Sequence, residues 1–269
     1  MELYAGMKKE IEKIIRKAGE IMLEGSGCLS KEAIHEKSGA ANYVTDYDIA
    51  IQKYLIGEFR KIIPDASFYG EEETEGCSHE AQEGYTFYID PIDGTTNYLF
   101  GYDHSCVSVG VAYNGCIVQG YVYNPFRGEL YFAERGKGSY LNDRRLQIEN
   151  KPLSAGIVAF GCARYNSEDA QFEIVKELFL RSTAIRNGGS AALDLCRIAS
   201  GANVAYFETL LQPYDYAAAS IIIEEAGGVI RQECGEAVNL YGPCMIIAGT
   251  QKAVEEISGI VREENKVRK

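Results

Sequence analysis

The sequence predicts a layered α/β protein, and three observations carry the prediction. Apolar residues recur at helical spacing near the N-terminus. The stretch from 85 to 142 is rich in β-forming residues and broken by tight-turn dipeptides. From 157 onward, short apolar strands alternate with helical stripes. A chain of 269 residues can bury such a core without disulfides. No internal repeat or low-complexity linker divides it, so one domain over 1–269 is expected.

The first helix is expected over 3–22, where Leu3, Met7, Ile11, Ile14, Ile15, Ala18, Ile21 and Met22 form one stripe, and Gly25 and Gly27 are expected to end it. A second stripe over 46–62 (Ile51, Leu55, Phe59, Ile62) is closed by Pro64, and a polar loop with Gly39, Glu36–Asn42, separates the two. Strands are expected at Tyr85–Asp90, Val107–Tyr113, Cys116–Asn124 and Glu129–Glu134. Asn114-Gly115 is a strong hairpin signal, and Arg127-Gly128 makes a similar break. The result is a β-meander. The second half reads as strand 157–160, helix 168–179, strand 183–186, helix 190–199, strand 204–208, helix 213–226, strand 245–248 and a terminal helix from Gln251.

With 27 Lys+Arg against 39 Asp+Glu, the net charge is −12. General attraction to nucleic acid or to an anionic membrane is disfavoured. No stretch approaches a membrane span, and the charged N-terminal segment lacks the apolar core of a signal peptide. The eight cysteines are scattered without a Cys-x-x-Cys pair and read as buried, reduced thiols. Cytoplasm is the expected compartment. His35, His79 and His104 make no His-Glu-x-x-His pair, and each reads as a surface or lightly buried histidine. Gly-x-Ser-x-Gly, Walker and Gly-x-Gly-x-x-Gly signatures are absent from the sequence.

Three segments instead place acids beside turn residues at element ends. Gly70-Glu71-Glu72-Glu73 follows the apolar Phe68-Tyr69; a solvated acidic loop is the plain alternative. Asp90-Pro91-Ile92-Asp93-Gly94-Thr95-Thr96-Asn97 follows a strand that Pro91 should stop. Asp90 and Asp93 bracket a bend, the Ile92 carbonyl can turn inward, and such oxygens suit a hard cation such as Mg²⁺. Gly94-Thr95-Thr96 then opens a short helix whose free N–H groups suit a phosphate; an Asp-rich helix cap is the alternative. Gln212-Pro213-Tyr214-Asp215 puts Asp215 in the first turn of a helix rich in small residues, which is also what simple dipole complementarity would produce. Glu71, Asp90, Asp93 and Asp215 gathered together would repel one another, and divalent cations are the obvious remedy.

These three motifs, in this order, resemble those of the inositol monophosphatase family of Mg²⁺-dependent phosphatases, and the likeness runs over nearly the whole chain. It implies an α-β-α-β-α sandwich and a homodimer. It implies that Glu71, Asp90, the Ile92 carbonyl, Asp93 and Asp215 bind two Mg²⁺ ions. Asp48, in Asn42-Tyr43-Val44-Thr45-Asp46-Tyr47-Asp48, would pair with Thr95 or help hold a third ion. Glu71, Thr95 and Asp48 are the implied catalytic residues. Asp93, Gly94, Thr95, Thr96, Gly189, Ser190, Ala191, Glu208 and Asp215 are the implied substrate contacts, and Lys37 matches a lysine on a loop over the site. Inhibition by Li⁺ is also implied.

The expected reaction is in-line hydrolysis of a small phosphate monoester. Inositol 1-phosphate stands first, because the carboxylate of Glu208 suits a row of hydroxyl donors. A sugar bisphosphate such as fructose 1,6-bisphosphate, or a nucleotide phosphate, is the alternative. A non-catalytic regulatory protein on this fold is the remote one. Tyr214 in place of the usual Trp, Ser220 in place of a frequent Gly, and Gln212-Pro213 depart from the family pattern on the alcohol side.

Overall fold

The computed structural model describes residues 2–26, 33–37, 43–77, 83–162, 169–233 and 235–267. In chain order the first half holds α1 (Glu2–Ser26), β1 (Ile34–Glu36), β2 (Tyr43–Thr45), α2 (Asp46–Ile62), β3 (Ser67–Gly70), β4 (Tyr85–Asp93), α3 (Thr95–Leu99), β5 (Cys106–Tyr113), β6 (Cys116–Asn124), β7 (Glu129–Glu134), β8 (Gly138–Leu141) and β9 (Arg144–Leu146). The second half holds β10 (Ile157–Phe160), α4 (Asp169–Arg181), β11 (Ala184–Arg186), α5 (Ala191–Ala199), β12 (Asn203–Leu211), α6 (Pro213–Glu225), β13 (Val229–Arg231), β14 (Cys244–Gly249) and α7 (Gln251–Val267).

Two large sheets organise these elements. Strands β3 to β9 lie side by side in chain order in a seven-stranded sheet, antiparallel except for the parallel β3–β4 pair. A five-stranded sheet has the order β11-β10-β12-β14-β13. Helices α1 and α2 cover the outer face of the first sheet through Ile11, Ile15, Leu55 and Phe59. Helices α4 and α7 cover the outer face of the second through Ile174, Leu178, Ile257 and Val261. Between the sheets lie α5 and α6, giving the expected α-β-α-β-α layering.

The middle position explains why α6 is apolar nearly all round: an amphipathic stripe would leave a polar face against one sheet. Ile221, Ile222 and Ile223 are each fully buried, worth roughly 2 kcal/mol apiece. Its small residues let the backbone approach the first sheet closely. A Cβ on Gly110 would stand 2.8 Å from the Ala217 Cβ, and one on Gly120 would stand 2.3 Å from the Ala218 carbonyl.

The Asn114-Gly115 turn takes positive φ at both residues, 49° and 78°, the pairing a two-residue hairpin requires. Helix α2 begins with a capping box: the Thr45 hydroxyl accepts from the Asp48 N–H, and Asp48 Oδ2 accepts from the Thr45 N–H at 2.8 Å.

Some expectations need correction. Pro91 does not end its strand. It removes one donor, the β4–β5 register shifts between Asp90 and Asp93, and pairing resumes with Asp93 opposite Cys106. Ser190 caps α5 instead of opening it. α1 runs through Gly25 to Ser26, because one glycine costs a helix only about 1 kcal/mol; β12 runs on to Leu211, and the short strands β1, β2, β8, β9 and β13 had no sequence signal of their own. Gly27, Cys28, Gly39, Asn42, His79, Glu168 and Cys234 lie outside the described residues. Among those described, no cysteine is in a disulfide, but only Cys106 and Cys196 are buried; Cys77, Cys162 and Cys244 are half-buried and Cys116 is exposed, so burial is less general than expected. No described helix is long and apolar enough to cross a membrane.

Candidate active site

The acids collect where β3, β4, α3, α5, β12 and α6 end near one another. Glu71 follows β3, and its N–H donates to the Ile89 carbonyl of β4 at 3.0 Å. Its carboxylate receives Lys37 Nζ at 2.8 Å, and the same ammonium reaches Glu72 at 2.6 Å. Oxygens of Asp48, Glu71 and Glu72 lie within 4.8 Å of one another. Burial would lower the Lys37 pKa, but the two glutamates hold it above its usual value. Glu72 is pushed up by burial and by Glu71, against the pull of Lys37.

The bulge in β4 brings Asp90 and Asp93 into the interior, 2% and 7% exposed. Burial, then the charges of Glu71, Asp93 and Asp215, push the Asp90 carboxyl well above the usual range. Asp90 Oδ1 finds no hydrogen-bond partner among the described residues. That is a costly condition for a buried carboxyl oxygen unless something absent from the fold itself satisfies it. Asp93 is placed differently. Its Oδ2 accepts from the Ser190 hydroxyl at 2.5 Å and the Ala192 N–H at 2.8 Å, and Oδ1 from the Ala191 N–H at 3.2 Å. It therefore sits on the N-terminus of α5, a favourable place for an anion. Burial raises it to about 6 even so, with these hydrogen bonds pulling the other way.

Asp215 accepts from the Gln212 N–H at 2.7 Å in the first turn of α6. Burial, then Asp93 and Glu71, push it well up. Asp48 is driven to about 7 by burial and then by Glu71. Thr95 Oγ1 donates to the Ile92 carbonyl at 3.0 Å and lies 3.3 Å from Asp48 Oδ1, so Thr95, Asp48 and Ile92 meet at one point.

Gly94 precedes α3 with φ 87°, and no side chain caps that helix. A Cβ there would meet the Gly189 carbonyl at 3.0 Å and the His104 carbonyl at 3.1 Å. Thr96 is exposed on the same short helix, while Gly189 and Ser190 pack against Gly94 and the Ala191 N–H reaches Asp93. Glu208, on β12, is 7% exposed and accepts from the Tyr206 hydroxyl. Burial lifts it to about 7 although Tyr206 pulls it down, with Asp93 and Asp194 also raising it.

Every carboxylate singled out in the sequence thus lies in one electrostatically coupled region. The donor set is all hard oxygen: carboxylates, one of them with an unsatisfied buried atom, and the Ile92 carbonyl. It fits a divalent cation such as Mg²⁺; the buried Cys106 Sγ, 3.6 Å from Asp93 Oδ2, is the soft atom beside these oxygens. Sequence reasoning missed Glu72 as a member of the acidic group, Ser190 as the cap that holds Asp93, and Tyr206 as the partner of Glu208. The glutamate run was noticed, but which of its members share the site, and what Ser190 and Tyr206 hold, carried no local signal, because each role depends on a distant strand or helix.

The sequence profile of the inositol monophosphatase family matches residues 6–266. The chain is 32% identical over 257 residues to the protein named Nus factor SuhB of Xylella fastidiosa, covering 93% of this chain and 92% of that one. It is 35% identical over 214 residues to inositol monophosphatase 2 of Saccharomyces cerevisiae, covering 75% and 73%. A solved inositol monophosphatase-II from Staphylococcus aureus with inositol monophosphate bound superposes with a TM-score of 0.83 at 25% identity, covering 100% of this chain and 96% of the other.

Proposed function

Because the chain belongs to the inositol monophosphatase family, we propose that it is a Mg²⁺-dependent phosphatase of small phosphate monoesters, acting first on inositol 1-phosphate. The observation that carries this reading is the buried carboxyl cluster around Asp90, whose Oδ1 lacks a partner among the described residues. A fold that needed only stability would not keep it.

Glu71, Asp90, the Ile92 carbonyl, Asp93 and Asp215 would hold two Mg²⁺ ions, and Asp48 and Glu71 a weaker third. When bound, the metal supplies positive charge that makes water a better nucleophile and offsets charge on the leaving oxygen. The rest falls to the chain itself. N–H groups of Gly94–Thr96 would hold non-bridging phosphate oxygens, and the Gly189–Ala191 segment would close on the substrate from the other side. Thr95 would orient the attacking water and pass its proton toward Asp48 or Glu71. Asp48 Oδ1 lies 3.3 Å from Thr95 Oγ1, within reach of that proton. The new bond is water oxygen to phosphorus. The bond that breaks is phosphorus to alcohol oxygen, which takes a proton from solvent water as it leaves, while the base returns the attacking water's proton to solvent. Glu208 would accept from the hydroxyls of a polyol, and Lys37 would stay beside Glu71 over the site.

The same reading makes the protein a single domain over 1–269, a cytoplasmic homodimer, and sensitive to Li⁺. Its partner is a small molecule, and its net charge of −12 weighs against nucleic acid. Fructose 1,6-bisphosphate and nucleotide phosphates are the competing substrates. A second reading, a non-catalytic regulatory protein on this fold, has for support only that the Xylella relative is named a Nus factor, while the complete acidic cluster favours catalysis.

The test is phosphate release with and without Mg²⁺ from inositol 1-phosphate, fructose 1,6-bisphosphate, 3′-phosphoadenosine 5′-phosphate, NADP and histidinol phosphate. A clear kcat/KM preference for inositol 1-phosphate is expected. Preference for another ester would overturn the role of Glu208. No Mg²⁺-dependent release from any would sink the phosphatase reading and favour the regulatory one.

A further inference from the structure

The two segments that face the phosphate in the reading above are joined by a closed ring of hydrogen bonds that contains no metal-binding group. Asn97 Nδ2, on α3, donates to the His104 carbonyl and to the Gly188 carbonyl, both at 2.8 Å. The Gly188 N–H donates to Asp194 Oδ2 at 3.0 Å. His104 Nε2 lies 3.2 Å from Asp194 Oδ1, which closes the circuit back to Asn97. The His104 and Asp194 side chains are only 15% and 6% exposed. Gly94 is packed into the middle, its α-carbon facing the Gly189 and His104 carbonyls.

We infer that Asp194, with His104 and Asn97, is a positioning residue that sets the distance between the N-termini of α3 and α5 and so shapes the phosphate-holding part of the site. The Asp194 carboxylate hydrogen-bonds to Gly188 and His104 and to none of the expected metal ligands, and only its charge is felt at Glu208. Its carboxylate spends one oxygen on the Gly188 N–H and the other on His104. Asn97 spends both amide hydrogens on carbonyls of the two segments it joins. Gly188 is two residues before Ser190, whose hydroxyl and following amides hold Asp93. A slack ring therefore displaces the α5 end that faces α3 without removing any charged ligand.

The chemistry makes a sharp comparison possible. Asp194→Asn keeps an acceptor for the Gly188 N–H, and its amide can donate to His104 once the imidazole changes tautomer. Asp194→Ala keeps neither. Asn97→Asp is isosteric but turns a double donor into an acceptor facing two carbonyls.

The kinetic arm rests on the phosphatase reading; the exchange arm does not. Folded variants, checked by thermal melting, are compared with wild type in KM and kcat, in binding of inorganic phosphate with Mg²⁺ by calorimetry, in direct Mg²⁺ binding, and in hydrogen–deuterium exchange at 187–192. For Asp194→Ala and Asn97→Asp we expect KM up and phosphate binding weaker by about tenfold or more, since a displacement of an ångström is costly in an organised site. Exchange at 187–192 should rise, and Mg²⁺ affinity should fall by much less than phosphate affinity, because the ring removes no acidic ligand and reaches Asp93 only through the α5 amides. Asp194→Asn should recover to within about threefold of wild type, because both of its hydrogen bonds survive. Equal losses in Asp194→Asn and Asp194→Ala would overturn the inference, as would unchanged exchange in Asp194→Ala or a parallel loss of Mg²⁺ binding. A wild-type protein inert toward every ester would refute the phosphatase reading and leave the exchange comparison to decide the ring.

Discussion

Replacing Glu208 by Gln should make the metal-free protein more stable at pH 8 while damaging recognition of a polyol. The carboxyl is 7% exposed, and burial raises it from 4.5 to about 7 even with the Tyr206 hydroxyl donating to it. A carboxyl raised by about 2.5 pH units destabilises the folded state by roughly 3 kcal/mol once it is ionised in both states. The sign follows from proton binding. Between the unfolded value, 4.5, and the folded value, about 7, the folded chain holds the proton more tightly, so stability falls as pH rises through that window. At pH 5 the penalty is about 1 kcal/mol or less.

Glutamine keeps an acceptor for Tyr206 and carries no charge. After an allowance of about 1 kcal/mol for the weaker hydrogen bond, the variant should gain about 2 kcal/mol at pH 8. In a chain of this size that raises Tm by about 4 °C. The assay is melting of both proteins in EDTA at pH 8 and pH 5. A gain at pH 8 that disappears at pH 5 is expected. An equal shift at both pH values, or a loss at pH 8, would refute the assignment of a buried, titrating Glu208.

Three further outcomes follow from the same geometry. Asp90→Asn should abolish Mg²⁺-dependent turnover without lowering the metal-free Tm, because it removes a repelled anion with an unpartnered oxygen; a normal rate would refute the ligand assignment. Gly94→Ala, at φ 87° with carbonyls 3.0 and 3.1 Å from the new methyl, should cost about 1–3 kcal/mol of stability in chemical denaturation; an unchanged midpoint would count against the close packing of α3 on the α5 turn. Lys37→Met leaves Glu72, with its side chain 8% exposed, unpaired, and should cost about 3 kcal/mol or more in metal-free denaturation. Added Mg²⁺ should restore more stability to this variant than to wild type, and an equal restoration would speak against Lys37 and metal sharing Glu71.

Where the pattern is local, the sequence was legible. The strands at 116–124 and 129–134 and the helix at 46–62 were read to the residue, because β-rich runs and a period-3.6 stripe are bounded by Gly, Asn or Pro. The acidic residues were legible because carboxylates next to turn residues are unusual enough to notice. What escaped was long-range. Ser190 looked like a helix opener, and only the fold puts its hydroxyl on Asp93, 97 residues away. Pro91 looked like a strand terminator, because the sequence does not reveal that Cys106 will resume the pairing across a bulge. Strands of three or four residues, such as β9 and β13, owe their existence to neighbours already in place and not to their own composition.

The close seating of α6 has a consequence for how this molecule can change over time. Asp215 enters the acidic cluster from the first turn of a helix whose depth is set several residues later, where Ala217 and Ala218 rest against Gly110 and Gly120. Any side chain added to either strand glycine must lift that helix, and the carboxylate rides with it. Two residues with no chemistry of their own thus act as a depth gauge for one that has a great deal. Drift in the middle of the sheet would be felt at the mouth of the site, and the hydrogens standing where side chains could be keep the charges in register.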